Sequence, residues 1–261
     1  MNKWLRLTIL FIAITVFTVS AYKLIVVVMG YKAGQSEYSS IADMAVLLAE
    51  AEETKAQSII SEVKEEEDKI DINKMKINHD ILLDVNDEYK AWINIKDTNI
   101  NYPILQAADN DYYLKYTFQR TYNSAGSIFI DANIEAGMDA KNVIVHGHNM
   151  NDASMFGDLK KYRDRDFLEA NKTFQVYTPE GDYDYEIFSV YVVSNSNVEI
   201  TYQYGYESDE IFLEIMNKLK TYSLHNTDVE IIAEDKIMTL STCTNNGKQR
   251  LVVIGKQIPM E

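Results

Sequence analysis

The amino-acid sequence predicts a mainly β domain of the α+β class. Its short strands form a closed or nearly closed barrel, with helices before it and one helix between the late strands. After Ile81, short segments rich in Ile, Val, Tyr and Phe alternate with turn-forming clusters of Asp, Asn and Gly. The 261 residues include 18 tyrosines and only three prolines, a composition suited to pleated, half-buried surfaces. Many short strands with few helices favour a barrel over a parallel sheet.

The first element is an apolar segment that is long enough to cross a bilayer. Residues 5–22 form an apolar run with Lys3 and Arg6 at its N-terminal end, and the apolar character resumes after Lys23 through residues 24–29. Basic residues stay preferentially on the cytoplasmic side of a membrane. We therefore expect residues 1–30 to be a single-pass anchor, with the N-terminus in the cytoplasm and the rest of the chain outside the cell.

The alternative interpretation of this segment is a cleaved signal peptide. Thr18, Ser20 and Ala21 are small residues near the end of the first apolar run. The apolar stretch continues beyond Ala21, however, which is long for a signal peptide and favours an uncleaved anchor. Both interpretations place the following domain outside the cell.

Residues 31–79 are predicted to be helical. The stretch 36–69 contains neither Pro nor Gly and is rich in Ala and Glu. Apolar residues recur at near-helical spacing, at Ile41, Met44, Ala45 and Leu48, which predicts one or two helices. The acidic run 65–68 is interpreted as a solvated helix face.

The β domain is predicted to occupy residues 80–261. Its expected strands are residues 92–95, 100–105, 127–130, 143–146, 174–177, 183–193, 229–232, 237–242 and 250–256. The run Thr178-Pro-Glu-Gly-Asp182 predicts a hairpin turn between two antiparallel strands. Apolar residues at helical spacing over residues 208–222 predict the late helix, with Ser208 as its N-cap.

Charge and cysteine content exclude some classes of function. The formal net charge of -15 argues against a nucleic-acid partner, because phosphate backbones repel an acidic surface. Cys243 is the single cysteine, so no intramolecular disulfide can form. That cysteine therefore needs its own explanation.

Cys243 ends the apolar run Ile237-Met-Thr-Leu-Ser-Thr-Cys243 and precedes the polar stretch 244–249. A strand end fixes a sulfur while the following loop leaves it accessible, which suits a nucleophile. A cysteine at a strand end can equally be a small core residue. A reactive thiol also needs a base or a cation nearby, because the thiolate is the nucleophile.

The histidines that could serve this thiol lie in Asn142-Val-Ile-Val-His-Gly-His148. Strand alternation places His146 and His148 on one face, so that both imidazoles could face one site. The same spacing raises the idea of a zinc site, but zinc needs three or four ligands and no further His or Cys with metal-site spacing accompanies the pair. We predict no metal and no cofactor.

Arg250 opens the last predicted strand, ahead of the apolar Leu251-Val-Val-Ile254. From position alone it is an exposed arginine at a strand end. If the 244–249 loop returns the chain beside Cys243, its guanidinium could instead hold a substrate carbonyl or a developing oxyanion.

Together these residues resemble the sortases. Thr239-Leu-Ser-Thr-Cys243, a short loop and Arg250-Leu-Val-Val look like the sortase signature. Val143-Ile-Val-His-Gly-His148-Asn-Met, followed by Ser154-Met-Phe-Gly-Asp-Leu159, is similar to the histidine segment of class B sortases in particular. The resemblance covers roughly residues 80–261 and implies a sortase-type closed β-barrel. An N-terminal anchor followed by helices also fits class B.

The resemblance implies a membrane-bound cysteine transpeptidase. By the family's pattern Cys243 is the nucleophile, His148 the general acid and base, and Arg250 the residue that positions substrate and stabilises the oxyanion. The backbone amide of Thr244 would be the second oxyanion donor. The implied reaction cleaves the sorting signal of a surface protein after its Thr, forms a thioester, and transfers the acyl group to a peptidoglycan peptide amine.

The resemblance also implies residues that bind substrate. Asn101, Leu105 and Ser241 correspond to positions that line the peptide groove of the family, although each could equally serve packing or turn chemistry. His146 stands where class B enzymes often carry Tyr, and it can be a substrate neighbour or a structural imidazole. The segment 200–206 is a candidate for recognising the sorting signal.

Other functions remain open from the sequence. A pilin-polymerising sortase would use the same residues with a protein lysine as acceptor. A non-catalytic, wall-associated binding barrel would keep Cys243 buried and unreactive. A papain-like protease has the opposite order, with its cysteine early and its histidine late.

Overall fold

The computed structural model describes residues 3–60, 75–244 and 246–258, with side chains in the first range described to residue 45. Its α-helices are α1 Lys3–Ile60, α2 His79–Val85, α3 Arg165–Ala170 and α4 Asp209–Thr221. Its strands are β1 Tyr89–Asn94, β2 Asn101–Leu105, β3 Ile128–Ile130, β4 Asn142–Gly147, β5 Thr173–Thr178, β6 Gly181–Ser194, β7 Ile237–Thr244 and β8 Gln249–Ile258. Short 3₁₀ turns occur at Tyr112–Leu114, Gly137–Asp139, Gly157–Arg163 and Asn195–Asn197.

The strands form a closed barrel in the order β1-β2-β3-β4-β7-β8-β6-β5, and β5 pairs with β1 to complete the ring. Two pairings are parallel, β2 with β3 and β4 with β7. The others are antiparallel, including the β5–β6 hairpin, whose last pair is Thr178 with Gly181. The predicted mainly β barrel and its late helix are confirmed. In α4 the Ser208 hydroxyl accepts from the Ile211 amide, as an N-cap does.

One predicted strand is wrong. Residues 229–232 lie within the described range but pair with no strand, because β8 already has β6 on one side and β7 on the other. Lysine side chains bind the carbonyls of this segment instead. Lys220 Nζ donates to Val229 O at 2.6 Å, and Lys256 Nζ donates to Glu230 O at 2.8 Å.

Apolar side chains are buried on both sides of the sheet. The larger cluster includes inward-facing strand residues such as Val145, Leu240 and Val253, which pair in one lateral row, and it extends outside the sheet to residues of α1. A second cluster lies between α4 and the outer face of β6 and β8. It is formed by Phe188, Tyr191, Phe212, Met216, Leu219, Val252 and others. Inward and outward side chains alternate along each strand, so residues paired across neighbouring strands point to the same face.

Helix α1 is continuous from the apolar N-terminal segment into a part that packs on the barrel. Residues 3–45 include an 18-residue window of mean hydropathy 2.2 that makes no buried contact, long and apolar enough to cross a membrane. Further along, Tyr38, Ile41 and Ala45 are buried in the main core cluster. The described part of the predicted 36–69 helix is α1 to Ile60. Residues 61–69, including the acidic run 65–68, lie outside the described residues.

Candidate active site

Cys243 and Arg250 form the centre of the candidate site. They are direct partners across β7 and β8, so their side chains leave the same face of the sheet. Arg250 Nη1 donates a hydrogen bond to Cys243 Sγ. Both residues are half-buried. Arg250 Nε is buried and has no hydrogen-bond acceptor in the described part of the chain. A guanidinium therefore lies against the sulfur with a further donor still free.

The turn between β7 and β8 returns the chain so that Arg250 comes beside Cys243. Asn246 and Gly247 adopt positive φ angles of 52° and 80°. Both residue types tolerate this left-handed conformation better than others do. Asn195 binds the turn from outside, because its side-chain amide donates to Gly247 O and its backbone amide donates to Lys248 O at 3.1 Å.

His148 follows the end of β4, the strand parallel to β7. The last pair of this ladder is Gly147 with Thr242, and Thr242 Oγ1 donates to Gly147 O at 2.7 Å. His148 follows Gly147, and Cys243 follows Thr242. The parallel register of the two strands therefore brings these two residues side by side. Their positions in the sequence are almost a hundred residues apart.

The His148 ring has a defined orientation. Its Nε2 lies 2.8 Å from Leu114 O. A carbonyl oxygen can only accept, so Nε2 carries a proton and donates it to this bond. Nδ1 is therefore the nitrogen that can take up and release a proton.

Gly147 allows the strand end to pack closely. A Cβ built at this position would lie 2.7 Å from Phe156 Cδ2, far inside normal contact distance. Phe156 is fully buried. A side chain at position 147 would therefore clash with Phe156, which explains the glycine between the two histidines. Its close packing fixes the backbone from which His148 extends.

His146 pairs with a carboxylate. Its Nε2 lies 3.0 Å from Asp131 Oδ2, and the two side chains are 16% and 10% exposed. Burial acts to raise the pKa of Asp131, but the hydrogen bond from His146 and those from Asn110 and Asn133 outweigh it and hold the pKa well below the usual carboxyl value. His146 is thus a satisfied imidazole next to the site.

Tyr202 connects His146 to Ser241. Its ring meets the His146 ring edge-on at 5.3 Å, and its hydroxyl lies 2.6 Å from Ser241 Oγ. Burial raises the pKa of Tyr202, while its hydrogen bond with Ser241 and the charge of Arg250 lower it in part. Ser241 is buried and precedes Cys243 by two residues, so it lies on the same face of β7.

The remaining predicted site residues have varied surroundings. Thr244 is the last residue of β7, pairs with Gln249 and is half-buried. Leu105 is fully buried and pairs with Phe129, in the lateral row that continues to His146 and Ser241. Its side chain could reach a bound peptide only if its neighbours moved.

Asn101 lies beside helix α1. Its Oδ1 accepts from Trp92 Nε1 at 2.6 Å, and it lines a cavity of about 480 Å³ together with residues of α1. Its contact with a substrate stays a prediction, like those of Leu105 and Ser241.

Comparison with known proteins decides the family. A model of the sortase domain matches residues 93–258, which is more than half of the chain. The chain belongs to the sortase family. Sortase B of Listeria monocytogenes is 40% identical over 178 residues, which cover 67% of this chain and 71% of that protein.

Solved class B sortases share the fold of this sortase. The Staphylococcus aureus sortase B–substrate complex is 28% identical with a TM-score of 0.71, covering 89% of this chain and all of that one. A sortase B complexed with triglycine is also 28% identical with a TM-score of 0.66, covering 82% and 97% of the two chains. The predicted class B resemblance and its cysteine transpeptidase chemistry are confirmed at the level of the family.

Sequence reasoning did not find Asp131, Tyr202 or the Leu114 carbonyl. Asp131 directly follows β3 and reaches His146 across a strand pair, and Leu114 lies in a 3₁₀ turn 34 residues before its partner. Tyr202 lies in the segment 200–206, which the sequence indicates only as a whole. A polar residue directly after a buried strand was the one available signal for Asp131.

Proposed function

We propose that this sortase cleaves the C-terminal sorting signal of surface proteins after a Thr residue and joins the new carboxyl group to a peptidoglycan peptide amine. Cys243 is the nucleophile, His148 the general acid and base, and Arg250 the residue that positions the substrate carbonyl. The observation that carries the proposal is the Arg250 hydrogen bond to Cys243 Sγ, at a strand end that the β4–β7 register shares with His148.

In the first half-reaction, His148 takes up the Cys243 thiol proton, the resulting thiolate attacks the Thr carbonyl carbon, and the scissile C–N bond breaks. The leaving amine takes a proton from His148, whose Nδ1 is the nitrogen free for this exchange. The product is a thioester on Cys243. In the second half-reaction an amine attacks the thioester, the C–S bond breaks, and His148 accepts the proton from the incoming amine.

Two donors are available for the oxyanion that forms in each half-reaction. Arg250 offers the Nε–H group, which is buried and has no acceptor among the described residues. A buried donor without a partner costs free energy, and a substrate oxygen would satisfy it. The amide of Thr244 follows the nucleophile directly and is proposed as the second donor.

The proposed substrate and acceptor are inferred from the complexes of related sortases. One class B sortase structure is a substrate complex, and another holds triglycine, a short peptide with a free amine. The groove residues proposed for this chain are Asn101, Leu105, Ser241 and His146. Tyr202 joins them, because it contacts both Ser241 and His146.

The proposal includes membrane anchorage. Helix α1 contains the apolar window within residues 3–45, and Lys3 and Arg6 lie at its N-terminal end. The N-terminus is therefore proposed to be cytoplasmic and the barrel extracellular. This places the active site where surface proteins and wall peptide are found.

The test uses full-length protein in detergent with a panel of fluorogenic sorting-signal peptides and mass spectrometry of the products. Cleavage after Thr should disappear on thiol alkylation, which can act only at the single cysteine. Cys243→Ala should behave like alkylated enzyme. Adding triglycine or a lysine-containing pilin peptide then shows which amine is joined. An alkylated enzyme that still cleaves would remove Cys243 from the mechanism.

A further inference from the structure

Helix α1 contacts the barrel immediately after its apolar segment ends. Residues 22–29 are exposed in the structure, and Gly30 and Tyr31 are the first of a partly buried series. The Asn123 side-chain amide donates to Gly30 O at 2.9 Å. At Gly34 the fit is tight, because a Cβ there would lie 3.2 Å from Asn123 Nδ2. The helix is unbroken across this point, so no flexible linker separates the apolar segment from the barrel.

The residues that form hydrogen bonds with α1 at this point belong to one loop, residues 115–124, called here the tyrosine loop. Besides Asn123, its Gln119 amide donates to Glu37 Oε1 at 3.0 Å and its Phe118 amide donates to Tyr38 OH at 3.3 Å. These three contacts follow α1 over the two turns that come after the apolar segment. The tyrosine loop is therefore fixed at a defined position along the axis of α1.

This position along α1 corresponds to the surface of a bilayer that the apolar segment would cross. The apolar segment 5–29 has about 25 residues, which at 1.5 Å per residue is about 37 Å of helix. The hydrocarbon core is about 30 Å thick, and the headgroups extend the total to about 40–45 Å. With residue 5 at the inner edge of the core, Gly30 lies in the outer headgroup layer. The tyrosine loop then lies at the same level.

The composition of the loop suits that environment. Tyr122 is 72% exposed, although it is a large aromatic side chain. It meets the ring of Tyr116 edge-on, and Tyr116 stacks on Tyr112 at 4.5 Å. The loop carries no acidic residue, in a chain of net charge -15. Of its two basic residues, Arg120 is ion-paired with Asp87 and Glu88, which leaves Lys115 as the basic side chain offered to the interface. Tyrosine and basic residues are the side chains that favour the membrane–water interface.

We propose that the tyrosine loop is a membrane-contacting surface, in which Tyr122 inserts into the outer headgroup layer and holds the barrel against the bilayer. This inference rests on the proposed membrane anchorage of α1. It adds a second point of contact, which restricts rotation of the barrel about the anchor.

The contact has a consequence for the proposed catalytic histidine. Leu114, whose carbonyl accepts from His148 Nε2, directly precedes the tyrosine loop. Asp152, four residues after His148, binds Gln35 of α1 through its Oδ2 at 3.1 Å. The segment that carries His148 is thus linked to the membrane-proximal part of α1 from both sides. A substrate that is itself held at the membrane would meet the active site close to the lipid surface.

The experiment measures how near the loop lies to lipid in the full chain. The protein is reconstituted into phosphatidylcholine vesicles with Trp4→Phe, which leaves the fully buried Trp92 as a constant background. Tyr122→Trp places a fluorophore on the loop. The matched control is Leu83→Trp, at an exposed position of α2, which begins beside Ala45, about 22 Å further along α1. Lipids brominated in the upper acyl chain then quench fluorophores near the interface.

We expect the Tyr122→Trp variant to lose at least about twofold more of its added fluorescence than the Leu83→Trp variant, because interfacial aromatic rings lie at headgroup level. Equal quenching of the two variants in protein that floats with the vesicles would overturn the loop contact and leave the anchor standing. Protein that does not float with the vesicles would overturn both. Peptide cleavage in detergent, measured on the same variants before reconstitution, reports separately on the catalytic proposal.

Discussion

Replacing Arg250 by Lys tests the role of the guanidinium most sharply. Both side chains are cationic, so the charge beside Cys243 Sγ is kept. The planar fork is lost, and with it the Nε–H donor that is buried and free of an acceptor in the described residues. If that donor meets the developing oxyanion, its removal costs about 2.7–4 kcal/mol, as for one oxyanion-hole donor. This corresponds to a drop of about 10²–10³ in kcat.

The assay is steady-state cleavage of a sorting-signal peptide, with thermal unfolding measured in parallel. Arg165→Lys is the matched control, because Arg165 is exposed and its contact with Glu169 is a surface ion pair at 3.5 Å. The control should keep wild-type kinetics. For Arg250→Lys we expect kcat to fall while the unfolding temperature stays close to that of wild type. A kcat within a few-fold of wild type would refute the oxyanion role.

Three further predictions concern the surroundings of the site. Gly147→Ala should cost about 1–3 kcal/mol of unfolding free energy, since its Cβ would lie 2.7 Å from Phe156; unchanged stability in urea unfolding would show that Phe156 moves freely. Cys243→Ala should abolish cleavage but retain the barrel in near-ultraviolet circular dichroism, since one sulfur at a half-buried strand end opens little volume. The lowered pKa of Asp131 stabilises the folded state above the ordinary carboxyl pKa near 4, and this contribution is lost as pH falls through the folded-state value. The Asp131→Asn variant should therefore be less stable than wild type at neutral pH, and it should lose less stability on acidification below about pH 4. Parallel pH profiles of the unfolding free energy for the two proteins would contradict the pairing of Asp131 with His146.

The strands could be predicted because burial imposes a period of two on their side chains. The β5–β6 hairpin also had a local turn signal, and the Ser208 cap marked the start of α4. The failure at residues 229–232 has a different origin. Val229 and Ile231 pack against the cluster under α4, so they are apolar for a reason that does not involve a ladder. Local composition cannot show that β8 has no free edge, because closure of a barrel depends on all its strands.

The residues of the candidate site also differ in whether the sequence alone could indicate their contacts. Cys243 and Arg250 are seven residues apart and joined by a tight turn, so sequence proximity already indicated their contact. The carboxylate that binds His146 comes from the end of another strand, and the tyrosine that contacts Ser241 comes from the long β6–β7 connection. Such partners are determined by strand register and loop path. They have no signature in the spacing of the residues themselves.

The parallel pairing of β4 and β7 explains why the histidine segment and the cysteine segment can form one site. Parallel strands run in the same direction, so both carboxyl ends emerge at the same edge of the sheet. Gly147 and Thr242 form the last pair of this ladder, and His148 and Cys243 are the residues that follow. In an antiparallel pair the same two residues would emerge at opposite ends of the barrel. The side chain of His148 is then fixed by Leu114, next to the tyrosine loop that grips α1. The position of the proposed acid and base is therefore set jointly by a strand ladder and by the segment that we place at the membrane.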